Sequence, residues 1–227
     1  MAIKQLKRIA VVDDDPSEAA GLKYVAEDAG LTTAVRTELS SLSNLLDWIA
    51  EENVQGVVCD QQLRHRSAAE FDGAEAVVAL MERRIPAVLV TTYSRSADDS
   101  IRLRRDKIPA LLLRGDLDAE SLLSSLRISF DELEGHLGTA RKAHRVLVRI
   151  ADVVTIDGAP MAEAILPSWE PSTSVRFPLS LIPEEIRLPG EEIKGARYMA
   201  QVNIGAERLE DLYFRDFERG PDPDHDE

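Results

Sequence analysis

The most constraining feature of this chain is a short apolar run near its start that ends in three consecutive carboxylates. Residues 9–12 are all apolar, and Asp13, Asp14 and Asp15 follow directly. Such a run is typical of a buried strand in a parallel sheet, whose carboxyl end points into a ligand crevice. Neighbouring carboxylates raise one another's pKa unless a cation lies among them, and Mg²⁺ is a hard ion suited to these oxygens.

Three further apolar runs repeat this pattern, each with a different polar residue at its end. They end in Asp60, in the hydroxyl residues Thr91 and Thr92, and in the cation Arg114. An acid cluster, a single acid, a hydroxyl and a cation at strand ends are the parts of a phosphoryl-transfer site. In this hypothesis Asp60 accepts the phosphoryl group and the acid cluster holds the metal, while the hydroxyl and the cation contact the phosphoryl oxygens.

Patterning along the 227 residues predicts two folded domains. The first part alternates strand and helix patterns, whereas the part after about residue 145 has short apolar runs broken by Pro and Gly. The predicted organisation is an α/β domain over 1–128, a helical extension or linker over 129–143, a small β-rich, barrel-like domain over 144–219 and a disordered tail over 220–227.

Helical spacing of apolar residues predicts helices between the strands of the first domain. One is expected over about 74–84, and a charge-rich segment over 95–107 gives a weaker helical pattern. A long apolar stripe predicts a last helix that runs on as far as Ala143. In the second domain, Asp157-Gly158 predicts a hairpin turn.

A basic stretch follows Asp60 and would lie beside the acid cluster. The loop over residues 61–72 contains Arg64, His65 and Arg66. Because loop charges are commonly solvent-exposed, this pattern favours a solvated loop with some arginine–carboxylate pairing over a role in substrate recognition.

Charge and composition argue against nucleic acid as the main partner. The net charge is −14, and both residues 1–140 and residues 141–227 are acidic, with −8 and −6. Attraction to phosphate backbones depends on Lys and Arg displacing counterions, so an acidic chain is poorly suited to it. A single cysteine, Cys59, excludes an internal disulfide framework. Without a leader pattern or a run of membrane-span length, the sequence predicts a soluble, cytoplasmic protein with no membrane partner.

Over about residues 6–128 the sequence resembles the receiver domain of two-component response regulators. The resemblance rests on four strand-end positions in order, namely Asp13-Asp14, Asp60, Thr91 and Arg114. It implies a flavodoxin-like, doubly wound sheet of five parallel strands. It also implies a phosphoryl group passed from a histidine kinase or phosphotransfer protein to Asp60, with Thr91 and Arg114 contacting the transferred group.

The resemblance further implies a cofactor and a signalling role. Mg²⁺ would be bound by Asp14, Asp60 and the Gln62 backbone carbonyl, with Asp13 acting through water. The chain would be a phosphoprotein of a two-component phosphorelay that signals through its β-rich domain or to a protein partner. It would not be an enzyme beyond self-dephosphorylation, and a homodimer stays open.

Three features depart from the family's pattern. Arg114 stands where the family uses a strand-end Lys, and Gly115 follows where Pro in a cis peptide is usual. Leu111 stands where the family places an aromatic residue that turns inward on activation. The loop after Asp60 is longer than the family's and lacks its Met-Pro step. Because a planar guanidinium cannot simply replace a compact ammonium, these differences predict a retuned or weakened site.

Two other interpretations stay open. The chain could be a phosphorylation-independent interaction scaffold or a phosphate sink that drains a kinase. It could also be a haloacid-dehalogenase-like phosphatase, with Asp13 as nucleophile and Asp15 as general acid. That family needs a later strand ending in an acid pair, whereas Asp98-Asp99 lie in a helical, charged stretch.

Overall fold

The computed structural model describes residues 6–92 and 95–221, with backbone alone at 95–99 and 191. The chain divides into two compact units. The first contains Met1–Ala97 and Lys107–Leu137, and the second contains Asp98–Asp106 and Gly138–Glu227. The sequence predicted two domains that are each continuous in the chain. In the structure, the nine-residue segment Asp98–Asp106 of the first predicted domain belongs to the second unit. The predicted disordered tail lies outside the described residues from position 222 onward.

A five-stranded parallel sheet forms the centre of the first unit. Its strands are β1 (Arg8–Val12), β2 (Thr32–Arg36), β3 (Val57–Asp60), β4 (Ala87–Thr91) and β5 (Ala110–Leu113). They lie in the order β2-β1-β3-β4-β5, which is the flavodoxin-like order. Strands β3 and β4 are buried over their whole length, as the continuous apolar runs predict. The structure confirms the predicted α/β fold class.

Five helices connect or follow these strands. They are α1 (Pro16–Asp28), α2 (Leu42–Glu52), α3 (Gly73–Glu82), α4 (Arg95–Arg104) and α5 (Ala119–Leu133). In four of these helices, the side chain of the N-cap residue accepts a hydrogen bond from a backbone N–H of the first turn. These N-cap residues are Asp15, Ser41, Asp72 and Asp118. A short 3-10 helix, Arg105–Lys107, extends α4, so the predicted helical segment over 95–107 is confirmed. Within the described ranges, every helix falls short of the length and hydropathy of a bilayer span.

The last helix of the first unit is shorter than the sequence predicted. Helix α5 ends at Leu133, and Gly135 adopts a φ of +85°, the left-handed conformation that commonly terminates helices. A separate 3-10 helix, Thr139–Arg141, follows. The predicted continuation to Ala143 is therefore wrong, and Leu137, which the apolar stripe placed on the helix, is 59% exposed.

The second unit contains a five-stranded antiparallel sheet. Its strands are β6 (His144–Ile156), β7 (Ala159–Ile165), β8 (Ser174–Pro178), β9 (Arg197–Val202) and β10 (Phe214–Arg219), in the order β10-β9-β6-β7-β8. Asp157 and Gly158 join β6 to β7 with φ values of +48° and +83°, as a type I′ hairpin turn requires. The β-rich character and this hairpin are confirmed.

Aromatic side chains fill the centre of this second sheet. Strands β8 and β10 are its two edges, yet the Phe177 ring centroid lies 4.5 Å from that of Phe214 and 5.5 Å from that of Phe217. The sheet therefore curls until its edges meet through side chains, although no backbone pairing joins β8 to β10 in the described part of the chain. This is the sense in which the unit is barrel-like.

Buried arginines join the α4 end to the rest of the second unit. Arg102 and Arg105 are 2% and 1% exposed. Arg102 donates to the carbonyl oxygens of Leu209 and Leu212, at 2.8 and 2.7 Å. Arg105 donates to the Asp211 carboxylate at 2.9 Å, and burial lowers its pKa to about 10. Backbone carbonyls thus satisfy much of the donor capacity of these guanidinium groups.

Arg141 links the same segment to the start of β6. Its guanidinium donates to the carbonyl oxygens of Arg105 and Asp106, at 3.1 and 2.8 Å, and lies 4.8 Å above the ring of Tyr213. The Tyr213 hydroxyl donates back to the Arg141 carbonyl oxygen. Residues 98–106 are therefore an integral part of the second unit.

Removing the Arg105 side chain should destabilise the second unit. We expect Arg105→Ala to lower its unfolding free energy by about 3 kcal/mol, because buried acceptors lose their donor. Urea unfolding in a Trp48→Phe background measures this, since Trp169 of the second unit then reports alone. The control is Arg149→Ala at an exposed strand position, with an expected change below about 0.5 kcal/mol. Equal midpoints for the two variants would contradict the structural role.

Candidate functional site

The carboxyl ends of the parallel strands bring predicted site residues together. Asp13, Asp14 and Asp60 are 2%, 5% and 7% exposed. The Nη2 atom of Arg114 lies 2.9 Å from an Asp13 carboxylate oxygen and also donates to the Asp60 carboxylate. Its Nη1 atom lies 2.6 Å from the Glu18 carboxylate. One guanidinium from the end of β5 therefore contacts carboxylates from three segments of the chain.

Local backbone bonds orient the carboxylates. Asp13 Oδ1 accepts from the backbone N–H of Asp15 at 2.9 Å, and Asp60 Oδ2 accepts from that of Gln62 at 2.7 Å. Asp15 caps α1 by accepting from the Ser17 N–H. These bonds follow from the sharp turn at each strand end, so the sequence itself places the carboxylates in the crevice.

Burial dominates the electrostatics of the two central acids. It raises the pKa of Asp13 to about 6, against the opposing hydrogen bonds from the Asp15 N–H and from Arg114. Burial also raises the pKa of Asp60, although bonds from Arg114 and the Gln62 N–H oppose it. The bound guanidinium therefore leaves part of the buried negative charge uncompensated.

The predicted Mg²⁺ ligands are of the right chemical type for a divalent ion, but their side chains are not arranged to bind one. In the described part of the chain, no group of three or more His, Cys, Asp or Glu side chains is arranged to hold a metal ion. Yet buried carboxylates with a raised pKa are the oxygen donors that a hard cation favours. The residues that would hold such an ion are Asp13, Asp14, Asp60 and the Gln62 carbonyl.

The loop after β3 folds over the acids. The Arg66 backbone N–H donates to the Asp14 carboxylate, and the Arg66 guanidinium lies 3.0 Å from an Asp15 carboxylate oxygen. The sequence favoured a solvated loop with some arginine–carboxylate pairing, and it singled out no partner. In the structure, the partner of Arg66 in this loop is the acid cluster itself.

A pocket of about 290 Å³ opens at this edge of the first unit. Its walls contain the predicted acids with Arg114 and five further residues, namely Glu18, Gln62, His65, Arg66 and Thr92. The predicted hydroxyl residue, Thr91, is 1% exposed, and Thr92 contributes to the wall instead. Glu18 was not predicted, although its place in the first turn after the acid cluster is a usable signal.

Gly73 allows α3 to start directly against Asp60. A Cβ atom at this position would lie 2.0 Å from the Asp60 carbonyl oxygen and 2.8 Å from Gln61 Cα. The Gly73 N–H donates to the Gln61 carbonyl oxygen at 3.1 Å. The absent side chain is therefore what lets helix and strand end approach so closely.

Replacing this glycine should disturb the strand end. We expect Gly73→Ala to cost about 2 kcal/mol of unfolding free energy, because backbone must move to remove the overlap. The control is Gly21→Ala in α1, where nothing lies within 4 Å and a gain of about 0.5–1 kcal/mol is expected. Urea unfolding read by Trp48 in a Trp169→Phe background measures both. A stabilising effect at both glycines would contradict the close approach.

Neutralising Asp13 should stabilise the metal-free protein at neutral pH. The folded-state pKa of about 6 exceeds the ordinary 3.8, so the folded state binds the proton more tightly and stability falls as pH rises through this window. In chelator-containing buffer at pH 7.5 we expect Asp13→Asn to gain about 1–3 kcal/mol, shrinking toward zero near pH 4. Urea unfolding at both pH values tests this. A loss of stability at pH 7.5 is the contrary result.

Comparison with solved structures finds proteins similar to part of this chain, and receiver domain proteins are among them. A sensor protein from Polaromonas sp. JS666 is 20% identical over 56% of this chain and 98% of its own, with a TM-score of 0.45. Receiver domain proteins from Clostridium thermocellum and Methanospirillum hungatei JF-1 are 13% and 22% identical. They cover 57% and 58% of this chain and 98% of their own, with TM-scores of 0.44 and 0.43.

The strand order of the first unit is the flavodoxin-like order described above, so the predicted flavodoxin-like fold is confirmed by the sheet itself. No protein-family model and no curated protein matches the sequence. The antiparallel sheet of the second unit lies outside the part of the chain that these receiver domains match.

Proposed function

We propose that this chain is a cytoplasmic phosphoacceptor protein of a two-component phosphorelay. Asp60 would take a phosphoryl group from a histidine kinase or a phosphotransfer protein. The observation that carries this proposal is the buried Asp60 carboxylate of raised pKa, hydrogen-bonded to the Arg114 guanidinium at the edge of an open pocket. A reactive carboxylate beside a cation at a strand end is the arrangement that phosphoryl transfer requires.

In the transfer step, the protein mainly positions the reacting groups and supplies positive charge to the phosphoryl oxygens. An Asp60 carboxylate oxygen attacks the phosphorus of a phosphohistidine, the phosphorus–nitrogen bond breaks, and the imidazole nitrogen keeps the electron pair and takes up a proton. Arg114 can fork onto two phosphoryl oxygens. Hydrolysis would return the carboxylate and inorganic phosphate, so the only reaction that we assign to the chain itself is self-dephosphorylation.

We also propose Mg²⁺ as the cofactor of this site. Asp14, Asp60 and the Gln62 carbonyl would hold it directly, and Asp13 would act through water. When bound, the ion would supply positive charge to the phosphoryl oxygens. Support comes from the chemistry of the donor set and from the raised pKa of Asp13, since a divalent ion would compensate charge that Arg114 leaves uncompensated.

For output we propose that phosphorylation acts through the second unit or on a protein partner. Leu111 is buried in β5 and carries no ring to turn inward, which favours an output that does not use an aromatic switch. Thr91, at the end of β4, is the proposed hydroxyl contact. A homodimer remains compatible with this proposal, and we propose no nucleic-acid or membrane partner.

A phosphorylation-independent scaffold is the second candidate. It is favoured by the Arg114 guanidinium, which binds Asp13 and Asp60 together and so stabilises the acids without metal or phosphate. A phosphatase with Asp13 as nucleophile and Asp15 as general acid is less well supported. Asp15 caps α1 and pairs with Arg66, which leaves it poorly placed to deliver a proton.

Beryllofluoride, an acyl-phosphate mimic, tests the phosphoacceptor proposal. With Mg²⁺ present, we expect it to stabilise the wild type and not Asp60→Asn. Binding to the folded state alone at 100 times the dissociation constant adds about 2.7 kcal/mol. Asp28→Asn, at an exposed site near the end of α1, should respond like the wild type. Thermal unfolding provides the measurement.

Acetyl phosphate provides a covalent readout of the same proposal. Intact mass should show one phosphoryl group on the wild type and on Asp28→Asn, and none on Asp60→Asn. If the wild type shows neither stabilisation nor label, the scaffold candidate takes its place.

A further inference from the structure

Two arginines from different parts of the first unit pair with its acid cluster. Arg114, after β5, contacts Asp13 and Asp60. Arg66, from the loop between β3 and α3, contacts the other two acids of the cluster through its backbone N–H and its guanidinium. Each of these four carboxylates is therefore already in contact with an arginine.

The loop that carries Arg66 is anchored at both ends. Leu63 and Phe71 are 0% and 4% exposed, so apolar side chains fix the loop to the core. The Ser67 hydroxyl donates to the Leu63 carbonyl oxygen and accepts from the Ala69 N–H. This internal bonding presents Arg66 at a defined place over the acids.

Arg64 lies in the same loop and differs from Arg66 in its partners. Its guanidinium donates to the Glu75 carboxylate at 3.1 Å and to the Glu70 carbonyl oxygen at 2.9 Å. Arg64 is absent from the wall of the acid pocket, whereas Arg66 is part of it. The loop thus offers two exposed arginines of equal charge, of which one contacts the acid cluster.

These contacts conflict with a divalent ion at the same acids. The Arg66 N–H already draws on the negative charge of the Asp14 carboxylate, which the ion would also use. The Arg66 guanidinium, 3.0 Å from an Asp15 carboxylate oxygen, also adds a like charge close to the ion. Cation binding should therefore favour release of Arg66.

We propose that Arg66 is a competing internal cation that holds the loop closed over the acids until a divalent ion displaces it. This rests on the proposed function, because it concerns the ion of that same site. Arg66 then determines the concentration of divalent ion at which the pocket becomes competent for phosphoryl transfer. In that role it is a positioning residue, and it forms no bond to the phosphoryl group.

Calorimetric titration of the full chain with Mg²⁺ alone tests this at pH 7.5. We expect Arg66→Ala to bind Mg²⁺ roughly tenfold more tightly than the wild type, because a competing charge is removed. Arg66→Lys should stay close to the wild type because it keeps the charge, while the backbone N–H is present in all of these variants. Arg64→Ala removes an equal charge from the same loop and should change the affinity less than about twofold.

Amide hydrogen exchange gives a second readout on the wild type. Because the Arg66 N–H donates to Asp14, Mg²⁺ should speed exchange at Arg66 and its loop neighbours while the strands stay protected. A merely structural role for Arg66 would give no such Mg²⁺ dependence. Slower or unchanged exchange at Arg66 counts against displacement.

The inference is overturned if Arg66→Ala binds Mg²⁺ no more tightly than the wild type. It is also overturned if Arg64→Ala gains as much, since the effect would then be general charge, or if no variant binds Mg²⁺. Acetyl phosphate labelling at saturating Mg²⁺ separates this from the proposed function. If the wild type is labelled and Arg66→Ala binds Mg²⁺ with unchanged affinity, only this inference fails. If Arg66→Ala binds Mg²⁺ more tightly but no phosphoryl label appears on the wild type, only the phosphoacceptor proposal fails.

Discussion

The burial of the Asp13 and Asp60 carboxylates beside the Arg114 guanidinium is the physical constraint that shapes the candidate site of the first unit. A parallel sheet collects strand ends at one edge, and here the ionisable side chains of Asp13, Asp60 and Arg114 meet there. Burial makes the two acids costly in their charged form, as the raised pKa of Asp13 shows. A cation at this edge therefore reduces the cost of burying these carboxylates, and it is also part of the chemistry that we propose.

The same edge is linked by the chain itself to the second unit. Strand β4 ends at Thr91, and residues 98–106, which follow it in the chain, belong to the second unit. The chain then continues into β5 of the first unit, and Arg114 follows that strand. Inside the second unit, buried arginine side chains bind that segment to backbone carbonyls. Two strand ends of the candidate site are thus connected by a segment that folds with the other unit.

Sequence patterns predicted much of this architecture because the relevant signals are local. Continuous apolar runs predicted the buried parallel strands, and Asp157-Gly158 predicted the hairpin through its left-handed φ values. The apolar stripe that suggested a helix to Ala143 was misleading, since periodicity continues past Gly135 while the backbone does not. Leu137 matches the stripe and is nevertheless exposed.

The sequence alone determined the acid-ended strands, their parallel arrangement and the β-rich second part, because each follows from residue periodicity and strand-end chemistry within a few positions. Only the tertiary structure decided which arginine contacts which acid, since the Arg66 backbone N–H donates to Asp14 across 52 positions and the Arg114 guanidinium donates to Asp60 across 54. It also decided that residues 98–106 belong with the second unit. Contacts between residues so far apart depend on how packed elements meet, which local pattern does not specify.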